Sequence, residues 1–172
     1  MSRAPELSAI FYRFEGTVVD DKGELLHKAD SSIINSYFFS EHVGIVSVDP
    51  NFDNTQWGHR FRTWGRVDSC TVASVEDEEI GELYEGALEK AGVEGAKAMV
   101  VEAHPSGILA AKKLGCTVVG FTSPRGELTR REAWRLKVDE AIGGYSELET
   151  YVKAQMKYRR PRAHSRAHGS KI

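Results

Sequence analysis

The residues of this chain that could do chemistry stand where apolar runs end. Ala98-Met-Val-Val-Glu102 closes on a carboxylate and leads through Ala103-His104-Pro105 into Ser106-Gly107. The run from Ala9 to Phe14 carries Arg13 and is followed by Glu15-Gly16-Thr17, and Val43–Val48 carries Ser47. A guanidinium, hydroxyls and backbone amides beside a glycine are the groups that hold a phosphate or a carboxylate. Arg13, helped by Thr17, Ser47 and the amides near Ser106 and Gly107, could bind such an anion. The same guanidinium could instead make a buried ion pair with Glu102 or Glu15. Both readings are open in the sequence.

The elements that must position these groups follow from periodicity. Ala98–Glu102 is a short apolar run of buried-strand type, Ile108–Leu114 has helical spacing, and Cys116–Phe121 is a second apolar run. The unit has the length of one parallel crossover, with Gly115 placed to end the helix in a left-handed conformation. The end of the first strand in such a unit is where ligands bind in open α/β sheets. Upstream, Ala9–Phe14 predicts a strand and Asp21-Lys22-Gly23 a turn. Asp30–Phe39 reads as a helix with Asp30, Ser31 or Ser32 as cap. Strands are expected over 43–48 and 68–75, and a helix over Glu79–Ala91 with Leu83, Ala87 and Leu88 inward. Farther on come a helix over 127–136, a short strand at Ala141-Ile142, and a closing helix over 146–156 with a cap at Ser146 and Glu149 three residues later. Residues 51–66 are polar and aromatic and receive no element.

This pattern resembles the haloacid dehalogenase-like (HAD) superfamily. Val101-Glu102-Ala103-His104-Pro105-Ser106-Gly107, followed by Ala110-Ala111-Lys112-Lys113-Leu114-Gly115, is similar to its fourth motif, in which two acids precede Ser-x-x-Gly and an alanine-rich helix. Phe11–Asp20 is similar to its first motif, Asp-x-Asp-Gly-Thr, with Gly16-Thr17 in register. The resemblance implies a three-layer α/β/α sandwich around a mostly parallel, Rossmann-like sheet. It leaves only about two dozen residues between the first motif and the next strand, hence no substantial cap domain. It also implies that Arg13 stands in place of the nucleophilic aspartate and Glu15 in place of the acid–base aspartate. Ser47 falls at the phosphate-binding hydroxyl, Glu78 at the lysine, and Ala103 at a magnesium-holding aspartate.

Phosphoryl transfer on this scaffold needs a carboxylate nucleophile, a held magnesium ion and a cation against the developing charge. Arginine cannot attack phosphorus and stays charged at any relevant pH. The expectation is a pseudoenzyme without cofactor or metal, with degenerate site positions Arg13, Glu15, Ser47, Glu78, Glu102 and Ala103. The alternatives are a divergent magnesium-dependent phosphatase using Glu15, Asp20 or Glu102, and a regulatory module binding a phosphorylated ligand through Arg13.

The chain has 172 residues, enough for one core domain, expected over 1–156, with a basic extension over 157–172. Six of the 23 basic residues lie from Lys157 onward, so the body carries 17 against 25 acidic ones. That extension, with Arg159, Arg160, Arg162 and Arg166, suits RNA phosphate or an acidic protein surface. Trp57, Phe61 and Trp64 are the expected contacts to protein subunits of a larger assembly. A ribosome-like or respiratory, organellar (mitochondrial) complex fits, as does a cytoplasmic one. No apolar run approaches the ~18 residues of a membrane span, and Cys70 and Cys116 read as buried thiols of an intracellular protein.

Overall fold

The computed structural model describes residues 6–49, 52, 67–72, 80–123 and 127–156, with backbone alone for Tyr37 and 67–72. Trp57, Phe61, Trp64, Glu78, Arg159, Arg160, Arg162 and Arg166 lie outside the described residues.

The apolar runs become strands because they are buried from both sides. All five residues of β1 (Ala9–Arg13) and of β4 (Ala98–Glu102) are buried, the signature of central strands in a parallel sheet. With β2 (His42–Ser47), β3 (Val67–Val72), β5 (Thr117–Phe121) and β6 (Glu140–Ile142) they form a six-stranded sheet in the order β3-β2-β1-β4-β5-β6. Every pairing is parallel. Strand order therefore reverses between β1 and β4, and the crevice at such a reversal is the general ligand position of open α/β sheets.

Helices cover both faces, giving the expected three layers. On one side α1 (Ala29–Asn35) and α5 (Tyr145–Gln155) bring Ile33, Leu148 and Val152 against Ile10, Tyr12 and Val101. On the other, α2 (Ile80–Ala91), α3 (Pro105–Lys113) and α4 (Arg130–Arg135) bring Leu83, Ile108 and Ala133 into the cluster of Phe11, Val100 and Val118. Among the described residues the stretch from β1 to β2 holds turns, α1 and a 3-10 turn at Ser36–Phe38, with no inserted domain.

Several ends differ from expectation for local reasons. α3 begins at Pro105 instead of Ile108, because proline suits the first helical position and His104 supplies an extended cap. Its far end is as read, with Gly115 at φ +84°. The cap expected at Ser146 is not one: α5 starts a residue earlier, behind an extended Gly144, and no side chain caps it. Glu149 turns across to α1 instead and accepts the Ser32 hydroxyl at 2.9 Å. Asp30, Ser31 and Ser32 likewise lie inside α1, which is preceded by Lys28 at φ +66°.

Candidate functional site

The register that pairs Tyr12 with Val101 sets the last residue of β1, Arg13, beside the last of β4, Glu102. Arg13 Nη1 donates to both carboxylate oxygens, at 3.2 Å to Oε1 and 3.1 Å to Oε2. Arg13 is 6% exposed and Glu102 0%, so neither charge has water to fall back on. Glu102 Oε1 also accepts the backbone N–H groups of Ala103, at 2.9 Å, and His104, at 3.0 Å. Its Oε2 accepts the Tyr84 hydroxyl from α2. The carboxylate lies at the start of α3, whose dipole favours a negative charge there. Burial opposes the charge on Arg13, but Glu102, Tyr84 and Glu15 outweigh it and hold the guanidinium's pKa above its ordinary value. Burial and then the Glu102 charge push the Tyr84 phenol well above the usual tyrosine range.

Glu15 completes the arrangement. Its Oε1 accepts Arg13 Nε at 3.0 Å and the Val48 amide at 3.1 Å, and its Oε2 accepts the Ser47 hydroxyl at 2.5 Å. The Asp49 amide in turn donates to Ser47 Oγ at 3.1 Å. The hydroxyl and amide at the end of β2, groups suited to an anion, are thus taken by a carboxylate of the chain itself. Thr17 is turned inward, its hydroxyl on the Arg13 carbonyl and its own carbonyl accepting Tyr145.

Two glycines let these parts approach. A Cβ on Gly107 would lie 1.9 Å from Glu102 Oε2, so the carboxylate fits only because position 107 has no side chain. Gly16, at φ +87°, would bring a Cβ to 2.9 Å from that of Ala103. His104 joins the two loops: its Nε2 is 3.0 Å from the Glu15 carbonyl and its Nδ1 2.7 Å from Glu127 Oε2.

The structure therefore brings Arg13, Glu15, Thr17, Ser47, Glu102, Ala103, Ser106 and Gly107 to one end of the sheet. Of the two readings of Arg13, the ion pair is the arrangement present, with Glu102 and Glu15 both engaged. Two members were not foreseen. Tyr84 falls on the inward stripe of α2 with Leu83, Ala87 and Leu88, and a phenol there calls for a polar partner. His104 reads as an ordinary turn residue, yet it bonds across to Glu15 and Glu127.

The divalent cation that the resemblance implies does not fit these residues. Among the described residues no three of His, Cys, Asp and Glu are grouped to hold a metal. The two carboxylates nearest the site already share the Arg13 guanidinium, and the methyl of Ala103 offers no donor.

No family model and no curated protein matches the chain. Solved structures do. The cobalt-bound deoxy-D-mannose-octulosonate 8-phosphate phosphatase of Haemophilus influenzae aligns over 88% of this chain and 90% of its own, with TM-score 0.65 and 11% identity. A haloacid dehalogenase-like hydrolase of Streptococcus pneumoniae aligns over 86% and 99%, with TM-score 0.70 and 12% identity. The chain has the haloacid dehalogenase-like fold. A HAD family hydrolase of Deinococcus radiodurans R1, solved with phosphate and sodium, aligns over 76% and 60%, with TM-score 0.54 and 15% identity.

Proposed function

We propose that this chain is a catalytically inactive HAD-like domain that works as an accessory subunit of a larger assembly. The observation that carries the reading is the buried pair of Arg13 with Glu102 at the strand reversal. A guanidinium there neither attacks phosphorus nor leaves two carboxylates free for a metal. An anion approaching Arg13 would also have to displace Glu15, which holds its Nε and the donors of Ser47 and Val48. Losing one member of a catalytic unit typically costs factors of thousands or more, and the remaining members do not compensate.

With chemistry set aside, binding to other macromolecules is a use for which the sequence supplies means. The basic segment with Arg159, Arg160, Arg162 and Arg166 suits RNA or an acidic protein, and Trp57, Phe61 and Trp64 suit a protein contact.

Two measurements test the parts separately. Purified protein should turn over no member of a broad phosphate-ester panel with magnesium present; turnover abolished by Glu15→Gln would overturn the inactive reading. Tagged protein, isolated from its own cells at moderate salt, should come down in a stoichiometric complex, and a chain ending at Gln155 should not. Recovery of both as monomers would overturn the subunit reading.

A further inference from the structure

On the sheet face opposite the Arg13–Glu102 pair, α1 and α5 do not close completely. A cavity of about 290 Å³ opens between them, near the lower end of the ~300–1,000 Å³ usual for small-molecule sites. Phe39, Leu148 and Val152 form its apolar wall. The polar floor is already satisfied: the Tyr12 and Ser36 hydroxyls bond each other, and Ser36 Oγ donates to the Ser32 carbonyl at 2.9 Å.

Glu149 is different. It is half-buried at the edge of this apolar wall, and Oε1 accepts the Ser32 hydroxyl at 2.9 Å. Among the described residues Oε2 has no hydrogen-bond partner and the carboxylate no cation. Lys153, one turn along α5 and exposed at the rim, makes no ion pair with it. Glu149 Oε2 is therefore left able to accept a hydrogen bond from a cationic donor seated in the cavity. The Asn35 amide, also on the rim, is equally without a partner among the described residues.

We propose that this cavity is a binding site for a small amphipathic amine. The apolar body packs against Phe39, Leu148 and Val152, and the ammonium group donates to Glu149 Oε2. The volume excludes large ligands, and the single unpaired carboxylate selects a cation over a neutral or anionic head. The site is separated from the Arg13 cluster by the sheet, so it stands whether or not the domain is catalytic.

The test compares phenethylamine with 2-phenylethanol, which has the same apolar body and no charge, by saturation-transfer NMR on the full chain. The amine should bind at least about tenfold more tightly, the ratio expected of one charge-assisted hydrogen bond. Glu149→Gln keeps an acceptor for Ser32 and so keeps the fold, which a thermal melt verifies, and it should erase the preference. Asn35→Trp at the exposed rim should block both probes. Equal binding of the two probes, binding that persists in Asn35→Trp, or no binding of either up to roughly 10 mM would each overturn the proposal.

Discussion

Arg13 Nη1 contacts both oxygens of Glu102, at 3.1 and 3.2 Å, so one nitrogen ties the ends of β1 and β4 together. The remaining bonds of that carboxylate come from Ala103, His104 and Tyr84, and those of the guanidinium from Glu15. The pair is thus the centre of a network, and deleting Arg13 leaves Glu102 charged and buried with no cation against it. Arg13→Met should lower stability to urea by about 3–5 kcal/mol. Glu102→Gln removes the stranded charge and keeps an acceptor, so adding it to Arg13→Met should recover part of the loss. A double-mutant cycle with coupling below about 0.5 kcal/mol would show that the pair is not coupled.

Tyr84→Phe removes one donor from a carboxylate that has no access to water. The expected cost is about 1–3 kcal/mol in the same unfolding measurement. It should shrink sharply in the Glu102→Gln background, where no charge awaits the bond.

Gly107→Ala places a methyl where Glu102 Oε2 lies. In the native background it should cost several kcal/mol, comparable to breaking the ion pair. In a Glu102→Ala background the obstacle is gone, and alanine's better helix propensity should make the same change neutral or stabilising by up to about 1 kcal/mol. Chemical denaturation of the four variants reads this reversal of sign.

Burial pushes the Cys116 thiol from its ordinary 9.0 up to about 11. The folded state therefore holds its proton where the unfolded chain has released it. The stabilisation is complete below pH 9 and is lost between about pH 9 and 11, with an upper limit near 3 kcal/mol. Urea midpoints across that window should fall less in Cys116→Ala than in the native protein. The thiol should label with an uncharged alkylating reagent only on unfolding.

The helix starts make a paired prediction. Thr129 accepts the Glu132 amide at 3.1 Å and is a true cap, so Thr129→Ala should cost about 1 kcal/mol. Ser146 satisfies no end of α5, and Ser146→Ala should change stability by less than about 0.5 kcal/mol.

The order of strands and helices could be read from the sequence because period and burial agree. Ala98–Glu102 and Ala9–Arg13 are apolar without alternation, which in a short run means burial on both faces. The cap of α5 could not, since Ser146 and Glu149 fit a local rule that a distant partner overrides: Ser32, 117 positions away, takes the carboxylate. Arg13, Ser47 and Glu102 were legible singly, each at the end of a strand. How Arg13 divides between Glu15 and Glu102 was not, because it depends on the register between β1 and β4. Tyr84 escaped for a related reason: within α2 its spacing marks only the inward stripe, and its partner lies on β4.

The strand order also sets a sequence of events for the growing chain. β1 can pair with β2 soon after both emerge, but its other edge waits for β4, and Glu102 lies 89 positions beyond Arg13. At about 5–20 residues per second that delay is on the order of 10 s. During it the future centre of the sheet is an open edge, ending in a guanidinium with one of its two carboxylates still unmade. An edge of that kind invites pairing with other chains, and an exposed charge is one of the devices that discourages it. Arg13, the anchor of the finished sheet, is therefore also placed to guard the unfinished one.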